Sequence, residues 1–186
     1  MVKKKKQVHE EVREPIQGIF SNEKVIAGSC DLARELYEKS RLGEPFHKDK
    51  FQYSLVEALY LIERGKMQVI SGRTILNLDK YLKKARKLEP NFWTRYNVYK
   101  DMRNRGYIVK TALKFGADFR VYDRGVKPGE DHAKWILYPV LETEMETWYN
   151  FSAKNRVAHS TRKKLLIGVV DDEGDVTYYS VSWTKP

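Results

Sequence analysis

Residues 110–132 read K-T-A-L-K-F-G-A-D-F-R-V-Y-D-R-G-V-K-P-G-E-D-H. Side chains alternate across 117–122: Phe119, Val121 and Asp123 face one way, Asp118, Arg120 and Tyr122 the other, which is the period of a strand. A strand before it ends at the turn around Gly116. Tyr122 stands at a strand end, and a polar loop with Gly125, Pro128 and Gly129 leads on to His132. Loops held by rigid strands are where reacting groups tend to be placed.

The same patterning extends on both sides. Strands are predicted at 107–111 and 133–140, and a hairpin at 164–171 and 175–183, turning through Asp172, Glu173 and Gly174. Thr143 with Glu146 reads as a capping box opening a helix to about Ala158. Asn91 caps a helix that runs to Arg105 and stops at Gly106. The second half is therefore a leading helix followed by β-β-β-α-β-β, an α/β domain around one mixed sheet.

Upstream, 16–27 reads as a hairpin turning at Ser21-Asn22, 31–39 as a short helix and 40–50 as a loop. The clearest helix is 54–64, opened by a Ser54/Glu57 capping box, ended by Gly65 and apolar nearly all round, so it belongs in a core. A strand at 66–70 and an amphipathic helix at 77–88 follow. Glu89-Pro90 marks the boundary. The chain divides into a charged arm (1–15), a small first domain (16–90) and a second domain (91–186).

Apolar residues make up 41% of the 186 residues, enough for a core. No apolar run approaches the roughly 18 residues of a membrane span, and no apolar segment follows the Lys-rich start, so neither a membrane nor a signal peptide is expected. The single cysteine, Cys30, cannot form an internal disulfide, which suits a reducing cytoplasm. Net charge is +10. The arm supplies only +2, and the rest divides evenly, +4 over 16–91 and +4 over 92–186. Dispersed positive charge with 12 Tyr, 7 Phe and 4 Trp suits a phosphate-bearing partner, although Lys/Glu-rich thermostable proteins share the excess. No nucleotide-binding loop occurs, and His9, His47, His132 and His159 are too scattered for metal ligation, so neither metal nor cofactor is expected.

A tyrosine, a histidine and a lysine together can cleave RNA: a phenolate takes the 2′-OH proton, an imidazolium protonates the leaving 5′ oxygen, an ammonium offsets charge on the phosphorane. A phenol ordinarily titrates at about 10, so as a base it needs a cation beside it. Carboxylates beside a histidine favour the imidazolium, the form a general acid needs.

At these residues the chain resembles the archaeal tRNA-splicing endonucleases, short single-unit type. The blocks are F-G-A-D-F-R-V-Y-D-R-G with a His soon after, R-V-A-H-S-T-R-K-K-L-L at 156–166, V-D-D-E-G-D-V-T-Y-Y at 170–179, S-L-V-E-A-L-Y-L at 54–61 and Y-N-V-Y-K-D-M-R-N-R-G-Y-I-V-K-T at 96–111. Five blocks in order over about 16–186 make the likeness specific. It implies a restriction-endonuclease-like α/β second domain beside a small α+β first domain, and a cytoplasmic enzyme that excises introns from precursor tRNA at bulge-helix-bulge sites without metal. It also implies a set of site residues: catalytic Tyr122, His132 and Lys163, with Lys163 preferred to Lys164 by block alignment. Arg156 and Lys185 would hold a splayed base between them. Lysine stacks less well than arginine, so Trp183 is expected to assist. Asp171, Asp172, Glu173 and Asp175 would form an acidic assembly loop, and the chain length implies a homotetramer. Two alternatives stand beside this reading. A non-catalytic RNA-binding subunit would lack one of the three catalytic side chains. A metal-dependent nuclease would need clustered carboxylates, yet only Asp118 lies on a candidate strand.

Overall fold

A computed structural model describes residues 14–113 and 116–184. Most of the Lys-rich arm, and Lys185, lie outside the described residues. The chain forms an α/β fold with two domains, each built on a mixed sheet.

The first sheet has the order β3-β4-β2-β1-β5-β6. Its strands are β1 (Ile16–Ser21), β2 (Lys24–Gly28), β3 (Glu44–Pro45), β4 (Lys50–Ser54), β5 (Met67–Ser71) and β6 (Thr74–Leu76). Only β1 and β5 pair in parallel; the other contacts are antiparallel. Three helices accompany it: α1 (Asp31–Ser40), α2 (Leu55–Glu63) and α3 (Leu78–Leu88). The expected Ser54/Glu57 capping box is present in full, and α2 is buried nearly all round, as its composition requires. Three elements were not anticipated. β3 pairs two residues inside the expected 40–50 loop with β4. β4 grows out of the run between the expected loop and α2, and β6 is a three-residue partner of β5. The first hairpin turns at Asn22, with φ 52°, and Glu23, one residue later than expected.

The second sheet has the order β11-β10-β9-β8-β7. It comprises β7 (Ile108–Thr111), β8 (Phe119–Tyr122), β9 (Trp135–Leu141), β10 (Lys164–Val170) and β11 (Val176–Val181), with β9 and β10 parallel. Helix α4 (Phe92–Asn104) covers one face and α5 (Trp148–Ser160) the other. Two caps differ from expectation. Asn91 occupies the cap position of α4 but its side chain makes no capping bond. Helix α5 is capped not by Thr143 but by Thr147, whose Oγ1 accepts the Asn150 N–H, while Glu146 pairs with Lys154.

One large core runs through both domains. Tyr60 of α2 meets Tyr99 of α4 edge-on at 5.7 Å, and Tyr99 meets Phe119 of β8 at 5.9 Å. Beside these rings lies a buried ion pair, Lys110 Nζ to Glu57 Oε1 at 3.1 Å. Burial alone would push the Glu57 carboxyl up, but the ammonium and the Ser54 hydrogen bonds outweigh it and hold the group below the usual range. Gly43 fits between them: its carbonyl accepts from Lys110 at 2.8 Å and its N–H points to Glu57. Its φ of +73° and a Tyr53 ring atom 2.6 Å from where a Cβ would lie exclude a larger residue. Arg95 makes a second link, with Nε 2.8 Å from Asp118 and a further bond to Glu89.

Candidate active site

Tyr122 ends β8. Its ring is buried, packed with Ile108, Ala133 and Val126 beneath the loop that leads to β9. That loop is tied across its base by an Asp123–Lys134 ion pair at 2.5 Å. The hydrogen bond holds the exposed Asp123 carboxyl below its ordinary range. Gly125 and Gly129, at φ 80° and 96°, supply the left-handed bends. His132 stands at the loop's far end with its side chain exposed, its backbone N–H donating to Asp131 at 2.6 Å.

Lys163 comes from a different element. Helix α5 ends with the Arg162 N–H bonded to the His159 carbonyl at 2.9 Å and the Lys163 N–H reaching back to Ala158 at 2.8 Å. This is the closing pattern in which a left-handed residue follows the helix, usually glycine. Here that residue is Arg162, at φ 54°, a conformation that costs a side-chain-bearing residue on the order of 1 kcal/mol or more. The reversal brings Lys163 inward, half-buried with Nζ donating to the Thr161 carbonyl at 2.8 Å, while Lys164 points out, so the two adjacent lysines do separate as expected.

Tyr122, His132 and Lys163 line one cavity of about 380 Å³, together with Arg120, Glu130 and Asp131. A strand end, the loop that follows it and a helix reversal farther along the chain are thus brought together. Sequence reasoning passed over Arg120, although its spacing of two from Tyr122 on a strand was the available signal. Among the described residues no group of three or more His, Cys, Asp or Glu side chains could hold a metal ion. Asp118, expected on the strand, lies just before β8 and is engaged by Arg95.

A second concavity, about 580 Å³, lies on the outer face of α5. Arg156, Phe151 and His159 line it, and Trp183 closes it, edge-on to His159 at 5.1 Å. Arg156 and Trp183 thus line the same concavity, while Lys185 lies outside the described residues.

Two further features lie away from these cavities. The Asp171–Asp175 turn closes on itself, with the Asp175 N–H donating to Asp171 Oδ1 at 2.8 Å and Asp172 and Glu173 exposed. Between the domains lies a groove of about 290 Å³ lined by Lys39, Arg64, Lys66, Arg103 and Lys127 and, among the described residues, by no carboxylate. Of these, Lys39 is paired with Glu35.

Residues 92–178 match the tRNA intron endonuclease catalytic C-terminal domain, and residues 16–82 the tRNA intron endonuclease N-terminal domain. The chain belongs to the tRNA intron endonuclease family. A tRNA-splicing endonuclease of Nanoarchaeum equitans is 46% identical over 144 residues, spanning 74% of this chain and 92% of its own length. Those of Methanothermobacter thermautotrophicus and Thermococcus onnurineus are each 39% identical, over 92% and 94% of this chain and 99% of theirs. The family match runs through both domains, and its C-terminal part carries Tyr122, His132 and Lys163.

Proposed function

We propose that this tRNA intron endonuclease cuts precursor tRNA at bulge-helix-bulge sites by metal-independent transesterification. Tyr122 takes the proton from the ribose 2′-OH, and that oxygen attacks the adjacent phosphorus. The bond to the 5′ oxygen breaks, and His132 donates the proton that the departing oxygen requires. Lys163 offsets the negative charge of the pentavalent state. The products are a 2′,3′-cyclic phosphate and a 5′-OH. What supports this reading is that one cavity is lined by base, acid and cation from three separate segments. That all three are retained favours a catalytic chain over a purely RNA-binding subunit.

The concavity of Arg156 and Trp183 suits an unpaired base, which stacks on a guanidinium plane or an indole. We further propose a homotetramer. Strand β11 is a sheet edge, unpaired on one side among the described residues, with Tyr179 exposed, so pairing with a second copy across a two-fold axis would cover it. The acidic Asp171–Asp175 turn complements the basic groove between the domains, and its insertion into the groove of another copy would join two dimers.

Incubation with an intron-bearing precursor tRNA in EDTA, followed by analysis of the ends, tests the reaction. Cyclic phosphate and 5′-OH termini are expected; cleavage that appears only when a divalent ion is restored would refute the metal-independent scheme. Light scattering tests the assembly, with about four times the 21.9 kDa chain mass expected. Neutralising Asp171, Asp172, Glu173 and Asp175 together should leave dimers; unchanged tetramers would dismiss that turn as the joint.

A further inference from the structure

Arg120 is the one cation of the catalytic cavity for which the acid–base scheme has no task. It lies two residues before Tyr122 on β8, so both side chains leave the same face of the strand. Its guanidinium carbon is 6.0 Å from the Tyr122 ring centroid. Its Nε is buried without a hydrogen-bond partner.

Other arginines at the domain junction are anchored. Arg95 holds Glu89 and Asp118, Arg103 donates to the Ser40 and Tyr107 carbonyls, and Arg64 donates to Asn104. Opposite Arg120 in strand register stands a second cation, Lys110, whose charge Glu57 neutralises. The two carboxylates of the cavity are engaged with backbone: Glu130 accepts the Lys127 N–H at 3.2 Å, and Asp131 accepts the His132 N–H. Among the described residues no acceptor pairs with Arg120.

A half-buried guanidinium with no anionic partner, its buried Nε unbonded and only an aromatic ring 6.0 Å away, is incompletely compensated for its desolvation. A bound anion would reverse the balance. The planar fork of donors matches two oxygens of one phosphate, which a lysine cannot do. We infer that Arg120 binds the non-bridging oxygens of the scissile phosphate, making it a fourth catalytic residue of this cavity. The inference rests on the cavity being the RNA-cleaving site. No bond to Arg120 forms or breaks. The diester carries one negative charge and the phosphorane two, so the contact strengthens as the 2′ oxygen attacks, and Arg120 shares with Lys163 the stabilisation of that state.

Two variants test it in the full chain. Arg120→Met keeps bulk against the Tyr122 ring and removes the charge; Arg120→Lys keeps the charge and removes the fork. Single-turnover cleavage is measured at saturating bulged RNA, with the natural linkage and with each phosphorothioate diastereomer at the cut site. Arg120→Met should slow the natural linkage by about 10²–10³-fold, the scale of losing one transition-state donor, and Arg120→Lys by less. Sulfur at one non-bridging position should slow the wild type but slow Arg120→Met no further. If Arg120→Met does not fold, Arg120→Lys carries the same sulfur comparison. Wild-type cleavage by Arg120→Met, or a slow variant with an undiminished sulfur effect, would overturn the assignment. Failure of the wild type to cleave any bulged RNA would instead overturn the reading of the cavity itself.

Discussion

On one face of the second sheet Val109, Phe119, Val121, Leu137 and Leu166 lie under α4 and merge with the core of the first domain. On the other face Ala112, Ala117, Ile136, Tyr138 and Leu165 meet α5 in a small separate cluster. Tyr122, Arg120 and Ile136 leave the sheet on this second face, and Lys163 enters from the turn that ends α5. Shape is held on the thick side, and the proposed chemistry belongs to the thin side. The division lets side chains that line an open cavity sit at a fixed position, because the strands that carry them are gripped from behind.

The contrast is broken most directly by His132→Ala and Tyr122→Phe. Each should slow single-turnover cleavage by about 10²–10⁴-fold while RNA binding and the unfolding temperature stay near wild type. Near-normal rates in both would remove the chemistry from the thin face. The second comparison is energetic. Leu137→Ala on the thick face should cost about 4–5 kcal/mol in a urea titration, the upper part of the range for that deletion, and Leu165→Ala on the thin face about 2–3 kcal/mol, the lower part. Equal losses would mean that the two faces share one core.

Glu57→Gln probes what grips the strands from behind. Removing one member of a buried pair costs about 3 kcal/mol or more near neutral pH. The folded carboxyl is held below the value of the unfolded chain. Its contribution is therefore complete above the ordinary carboxylate range and is lost as pH falls through the lower folded value. Wild type and Glu57→Gln should then converge in stability on the acid side; stability curves that stay parallel would show that the pair contributes nothing. The smallest effect belongs to Arg156→Ala, which should weaken use of a bulged substrate by roughly 1–3 kcal/mol, the scale of base stacking. Full activity would make Arg156 a plain helix-end charge.

Much of this was legible in the sequence because local chemistry and tertiary need agree. The Ser54/Glu57 box, the all-apolar helix behind it and the alternation through Phe119 and Tyr122 each predicted the element that forms. The misreadings came where two local signals competed. Thr143 and Glu146 have the spacing of a capping box, yet Thr147 caps α5, and Glu146 instead pairs with Lys154 nearly two turns into the helix. Strand β4 lacked a signal of its own, since its alternation spans only five residues and runs straight into α2. The three catalytic candidates followed from family blocks, and their meeting in one cavity depends on a strand end, a loop and a helix reversal that no local pattern specifies. Arg120 looked like an ordinary polar member of an alternating strand; only the register with Lys110, and the engagement of Glu130 and Asp131 elsewhere, mark it as unpaired.

The line of rings from Tyr60 through Tyr99 to Phe119 has a consequence for how the gene can be dissected. The two family segments suggest two modules that could be cloned apart, with a cut near Pro90. The rings lie on both sides of that cut. A C-terminal fragment would carry α4 with Tyr99 stripped of Tyr60, and Lys110 without Glu57, leaving an aromatic surface and an orphaned ammonium in water. An N-terminal fragment would open the buried side of α2. Recombination or truncation at this natural-looking seam therefore divides a single cooperative unit, and exchange of halves between relatives requires that both sides of the ring line travel together.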